Sequence, residues 1–328
     1  MLPFIELTSI PLGPLPIQPF GVLVATGVLV GTSLAARYAV QHRCDEDALR
    51  YLGMRVVVVG VIMAHLVDVL FYTPGKVLDD PLVLVRFWEG ISSYGGILGA
   101  TLAFFIWAKM INVNYLRYGD AVVFGFVPGF TLGRVGCATA HDHLGAQTDF
   151  FLGVQLPPLN RCPELKPSEW AETMGCQNWT LPDGTSNVVA HDLGLYEVFI
   201  CSALFIILML IRKFWKTRPP GTMIAVAALY YAPIRFFLDF LRFPDSDPKY
   251  LGLTPAQIMC IFTVIGGFMT IRAMRDPKNA SLMETDESLA AMRLPPIGGK
   301  KPAEGSSDSG SKAKAKQKTK AKITRKKR

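Results

Sequence analysis

Apolar runs long enough to cross a bilayer as helices alternate along this chain with charged or proline-rich connectors. They predict seven transmembrane helices, at about Phe20–Tyr38, Met54–Tyr72, Ile91–Ile111, Asp120–Ala140, Leu193–Ile211, Thr222–Leu241 and Pro255–Met274. Gln41–Arg50 reads as a charged connector, and a long polar segment, 141–192, separates the fourth helix from the fifth. The predicted class is an all-α polytopic membrane protein. Its expected parts are an external segment 1–19, a membrane domain 20–274 containing the external loop 141–192, and a tail 275–328. Residues 1–18 carry no lysine or arginine and no small-residue cleavage site, so this segment is expected to be retained.

Composition agrees with the pattern. Half of the 328 residues are hydrophobic, 18% are charged, and the mean hydropathy is +0.31, which argues against a soluble helical domain. Lysine and arginine collect on alternate connectors: Arg37, Arg43 and Arg50, then Lys109 and Arg117, then Arg212, Lys213, Lys216 and Arg218, and finally the tail. This bias predicts an external N-terminus and a cytoplasmic C-terminus. The low-complexity tail cannot form a core and is expected to be disordered. It accounts for most of the net charge of +8 and points to anionic lipid headgroups, not nucleic acid. Cys162 and Cys176 lie in the external loop, where an oxidising compartment would permit a disulfide. Cys137, Cys201 and Cys260 fall in or near helices as small apolar fillers.

Candidate chemistry comes from polar groups inside the apolar runs. Arg134 lies deep in the fourth helix, which begins at Asp120, and costs roughly 2.5–3.5 kcal/mol there unless it meets an anion. Gly129, Gly133 and Gly136 leave room around it for a backbone or a ligand. In the sixth helix Tyr231, Arg235, Asp239 and Arg242 recur at helical spacing on one face, which predicts a polar interior. Either an ion-pair ladder accounts for them, or the guanidinium groups hold a phosphate in fork geometry. Tyr94, followed by the packing glycines Gly95, Gly96 and Gly99, is a potential proton donor or acceptor. Glu197 is a further costly group that could pair with an arginine, and Tyr196 reads as an interfacial anchor. His141-Asp142-His143 cannot by itself complete a tetrahedral metal site, so no metal is expected.

These residues, taken in order, resemble the prolipoprotein diacylglyceryl transferase family of bacterial inner membranes. The likeness covers about Phe20–Ile271 and rests on YGG-LG, GDAVVFGFVPGFTLGRVG, the H-LYE segment (His191, Leu195, Tyr196, Glu197), Y-R-DFLRFPD and LTPAQI. It implies transfer of a diacylglyceryl group from phosphatidylglycerol to the lipobox cysteine thiol of a preprolipoprotein, with release of glycerol phosphate. The expected partners are phosphatidylglycerol, preprolipoprotein signal peptides and membrane lipids, with no cofactor and a monomeric enzyme. It makes Arg134 and Arg235 the phosphate-holding arginines, Tyr231 a functional tyrosine and Gly145 an important glycine. Asp120, Glu197, Arg242 and Gly95 become further substrate-site positions. The chain departs from the family where Tyr94 replaces a common histidine and Cys137 a common asparagine. His141 or His143, or Tyr94 with an arginine neighbour, is then expected to assist deprotonation of the acceptor thiol. The alternative is a repurposed member that binds anionic lipid or transports a solute.

Overall fold

The structure is a computed structural model. It describes residues 1–276 apart from 6, 8–9, 13–14, 87–89, 91, 142, 157–188 and 243–248. Asp142, Cys162, Cys176 and the basic tail beyond 276 therefore lie outside the described residues.

Eight α-helices occur among the described residues: α1 Pro19–Gln41, α2 Glu46–Val67, α3 Pro74–Asp79, α4 Ser93–Met110, α5 Tyr115–Ala140, α6 Leu193–Phe214, α7 Thr222–Leu238 and α8 Pro255–Met274. Six of them, α1, α2, α5, α6, α7 and α8, are long and apolar enough to span a bilayer. The chain is a multi-pass membrane protein. The remaining expected span, α4, is apolar but has 18 residues, about 27 Å of helix. It starts late because Ser92 caps it, accepting from Gly95 N. The second span starts earlier than its apolar run. Asp45 accepts from Ala48 N at 2.7 Å, which turns most of the charged connector into the first turns of α2.

The principal helix contact is between α1 and α5, and it rests on four glycines. A Cβ on Gly27 would lie 2.5 Å from the Gly129 carbonyl oxygen, and one on Gly125 would lie 2.2 Å from that of Gly31. The reciprocal i, i+4 pairs bring the two backbones together without side chains between them. Gly129 therefore serves helix packing. The space at Gly136 is filled by Phe20, and only the position at Gly133 is open.

Polar groups buried in the helices tie elements together. Asp120 is 3% exposed and accepts from the backbone N–H groups of Gly221, Met223 and Ile224 at 2.9–3.1 Å. It thus caps the first turn of α7, whose own N-cap is a glycine without a side-chain acceptor. His65 places one ring nitrogen 2.9 Å from the Gly90 carbonyl and the other 2.8 Å from that of Val83. It holds the segment that leads into α4.

The segment 141–192 contains more regular structure among its described residues than its polar composition suggests. Strands β4 Leu144–Gln147, β5 Val154–Gln155 and β6 Val189–Asp192 join β1 Leu2–Pro3 in a sheet of order β1-β5-β6-β4. β1 runs parallel to β5, and the other pairs are antiparallel. A separate hairpin pairs β2 Ile10–Leu12 with β3 Leu15–Ile17. The sheet sits at the ends of α5 and α6, because β4 follows one and β6 opens directly into the other.

Replacement of Gly125 by alanine forces α1 and α5 apart. Gly125→Ala is expected to destabilise the protein by about 1–3 kcal/mol, read as a lower Tm in detergent, whereas Gly133→Ala is expected to leave Tm unchanged.

Candidate active site

The polar centre of the protein is Glu197, one turn into α6 and 0% exposed. The helix begins where it does because Asp192 accepts from Leu195 N at 3.0 Å. Two arginines from different helices converge on this carboxylate. Arg134 of α5 places Nε 2.9 Å from Oε2, and Arg235 of α7 places Nε 3.2 Å from Oε1. Neither contact has hydrogen-bond alignment, so both hold as ion pairs. The hydrogen bond to Glu197 comes from Tyr231, whose hydroxyl donates to Oε2 at 2.6 Å.

Arg235 is engaged through all three nitrogens. Besides the Glu197 contact, Nη1 donates to Asp239 Oδ1 at 2.8 Å and Nη2 donates to the Tyr94 hydroxyl oxygen at 2.7 Å. The other Asp239 oxygen accepts from the hydroxyl of Thr254, which also caps α8 in a reciprocal box with Gln257. Of the expected ladder, the Arg235–Asp239 rung is formed. Asp239 lies in a 3₁₀ turn, Asp239–Leu241, and Arg242 has left the helix in an extended conformation. The four-residue stripe is therefore not continuous along one helix.

Arg134 differs from Arg235 at its outer edge. Its Nη1 lies 3.8 Å from Cys137 Sγ and 3.5 Å from His143 Nε2, with the Phe130 ring 4.8 Å from the guanidinium. Both Nη1 contacts are at the long limit for a hydrogen bond, and neither partner is a carboxylate. The adjoining Cβ position of Gly133 is open. Two guanidinium groups thus meet two carboxylates, Glu197 and Asp239, and only Arg134 keeps an edge that a further anion could take over.

The sheet fixes the remaining candidates. Gly145 in β4 bridges to the backbone of Arg242, and a Cβ there would lie 2.2 Å from the Leu241 carbonyl oxygen. Only glycine lets the Arg242 segment dock against β4. Arg242 is within electrostatic reach of Tyr94. His143 is held by its carbonyl, which accepts from Leu193 N at 3.0 Å.

His141 faces elsewhere. It ends α5 in the left-handed region, with φ 50°, and is 4% exposed. Nδ1 is 2.9 Å from Asp192 Oδ2, Nε2 is 3.1 Å from the Ile5 carbonyl oxygen, and Phe4 stacks on the ring at 4.0 Å. Both ring nitrogens are engaged with Asp192 and Ile5, so the ring faces away from the Arg134 centre. The structure assigns His141 to anchoring the N-terminal segment and leaves His143 as the histidine beside Arg134.

Three further residues take other places in the fold than their positions in the sequence suggest. Asp120 is 14 residues from Arg134 along α5, about 21 Å of helix, and caps α7 instead of contributing to this centre. Gly95 packs α4 on α2, where a Cβ would lie 2.5 Å from the Met63 carbonyl oxygen, so it positions Tyr94 and is not itself a contact surface. Tyr196 is buried, not an interfacial anchor, and bonds His191 Nδ1 at 2.8 Å. Burial holds the His191 imidazole below its usual range, consistent with a neutral ring that accepts from the phenol. Thr254 and Asp192 escape a search for reactive groups; their sequence signal is a helix cap before an apolar run.

Comparison with known proteins agrees with this geometry. The profile of the family described as prolipoprotein diacylglyceryl transferase matches residues 7–273, which include each member of the Arg134–Glu197–Arg235 centre. A protein of Oleidesulfovibrio alaskensis named phosphatidylglycerol–prolipoprotein diacylglyceryl transferase is 27% identical over 292 residues, 85% of this chain and 97% of its own. Proteins with the same name from Pseudomonas entomophila, 29% identical over 83% of this chain and 95% of their own length, and from Clostridioides difficile, 27% identical over 76% and 88%, are similar too. A match that spans most of the chain, together with the paired arginines on one buried carboxylate, places the chain in the prolipoprotein diacylglyceryl transferase family.

Proposed function

We propose that this protein transfers the diacylglyceryl group of phosphatidylglycerol to the cysteine thiol of a preprolipoprotein lipobox. The observation that carries this reading is the unequal engagement of the two arginines on Glu197. In the reaction the thiolate sulfur attacks the glycerol carbon that bears the phosphate. A C–S bond forms, the C–O bond breaks, and the electron pair leaves with glycerol phosphate. The chemistry therefore needs a cation for the phosphate, a donor near the leaving oxygen and an acceptor for the thiol proton.

Arg134 meets the first need. Its Nη edge exchanges Cys137 and His143 for phosphate oxygens, a stronger charge-assisted bond, while Nε stays on Glu197. Tyr94 meets the second. Its oxygen already accepts from Arg235, which turns the O–H toward the substrate as a donor. Arg235 thus acts through Tyr94, and Tyr231 acts through Glu197, since its proton is spent on that carboxylate. His143, whose Nε2 lies 3.5 Å from Arg134 Nη1, meets the third need as the acceptor for the thiol proton. Arg242 adds positive potential from the docked segment beside Gly145.

The same reading sets the surroundings. The protein works as a monomer in a bacterial inner membrane, with its sheet on the external face, where signal peptides present the lipobox cysteine. Its tail lies on the cytoplasmic side.

In a reconstituted assay with phosphatidylglycerol and a lipobox peptide, Arg134→Ala is expected to lower the rate of glycerol phosphate release by about 10²–10³-fold. Undiminished release from this variant would remove Arg134 from the phosphate site. Tyr94→Phe should lower kcat by roughly 10²-fold and leave the KM for lipid within a few-fold, because it deletes a donor used in the transition state. His143→Ala should lower kcat by roughly 10²-fold, and an undiminished rate in that variant assigns the thiol proton to another group.

A further inference from the structure

The end of the helix bundle away from the sheet holds a second gathering of cations that the transfer reaction does not use. It is built where α1 and α6 finish, some 17 residues of α5, about 25 Å, from Arg134. Arg218 is 5% exposed there, and its partners are all neutral. Nη1 donates to the Trp215 carbonyl at 3.1 Å, and Nη2 donates to the Tyr38 hydroxyl at 2.8 Å and to His42 Nε2 at 2.7 Å. Arg212 donates to the Gln41 side-chain oxygen and lies 5.2 Å over the Phe124 ring. No carboxylate of the described residues forms an ion pair with either arginine. Asp120 is within electrostatic reach of Arg218 but is occupied by three backbone N–H groups of α7.

His42 reports the resulting field. Its Nδ1 faces the Tyr38 carbonyl oxygen at 2.7 Å, and Nε2 accepts from Arg218, which together describe a neutral ring with its proton on Nδ1. Burial first, and then Arg218, Arg212 and Arg117, hold the imidazole below its usual range. A guanidinium with only neutral partners keeps its charge and its remaining N–H donors for an anion.

The neighbours indicate what carries that anion. Val40, Phe214 and Trp215 are 60%, 73% and 49% exposed around the two arginines, at the ends of bilayer-spanning helices. An anion that also brings acyl chains satisfies both the cations and this apolar rim, which a soluble ion does not. We propose that Arg212 and Arg218 form a binding site for the phosphate of an acidic phospholipid, in the leaflet opposite the active site. Basic pockets between helices at a membrane face take such headgroups by charge complementarity. The site is separate from the transfer reaction and stands whether or not that reaction is the protein's activity.

Trp215 allows the site to be tested directly. The full-length protein is reconstituted in phosphatidylcholine vesicles that contain equal fractions of either a brominated phosphatidic acid or a brominated phosphatidylcholine. The Trp215 signal is the difference in emission between wild type and Trp215→Phe. The acidic brominated lipid is expected to quench that signal about five-fold more effectively, the ratio that one arginine near a membrane surface gives. Arg212→Gln, which removes the charge but keeps a polar amide and the basic tail, should remove the preference. Arg134→Ala should retain it, which separates this site from the active site. Equal quenching by the two lipids in wild type overturns the proposal, as does a preference unchanged in Arg212→Gln that elutes as wild type in gel filtration. Loss of the preference on addition of about 10 mM inorganic phosphate shows that a soluble anion is the ligand, and also overturns it.

Discussion

A carboxylate shared between two guanidinium groups inside a bilayer is the constraint on which this structure depends. A buried charge there is costly by itself, and Glu197 offsets that cost for Arg134 and, with Asp239, for Arg235. Loss of one partner from such a set costs on the order of 3–5 kcal/mol, because the others are left charged and buried. The three residues come from α6, α5 and α7, so the ion cluster determines how these helices sit relative to one another. Tyr231, Asp239, Tyr94 and Thr254 complete its hydrogen bonds from the same helices and from α4 and α8.

The surroundings serve that cluster by leaving it room. Glycines let α1 approach α5 at backbone distance, so that side of the bundle needs no bulky core. The sheet sits at the ends of α5 and α6. Gly145 admits the Arg242 segment, and His141 ties the N-terminal residues to Asp192. At the opposite end the buried acid Asp120 is spent on the α7 terminus, and Arg212 and Arg218 have neutral partners instead. The two ends of one bundle thus solve the problem of buried charge in different ways. One end pairs the charges, and the other leaves positive potential at the lipid boundary.

Membership of the family, the helical class and most spans were legible from order and hydropathy, because a run of about 20 apolar residues has few alternatives to a spanning helix. The start of the second span was less so, since Asp45 acts through a single cap hydrogen bond that moves the boundary from Met54 to Glu46, whereas the fifth span begins at Leu193 as expected. The sheet was invisible for a different reason. Its strands have two to four residues, and β1 pairs Leu2 with Val154, 152 positions away, so no local periodicity marks it.

The sequence by itself determined which groups had to be satisfied inside the membrane: Asp120, Arg134, Glu197, Arg235 and Asp239 are each too costly to face lipid. It could not determine who satisfies whom. Helical spacing places residues on a face, but the partner of a buried charge lies on another helix, at a depth set by packing. Tertiary structure sent Asp120 to the backbone of α7 and Glu197 to two arginines, though both are acids in apolar helices. It likewise separated His141 from His143, two residues apart, because the left-handed turn at the end of α5 directs one to the N-terminal segment and the other to Arg134. Desolvation decided that these groups must be paired, and the close approach of helices decided the pairs.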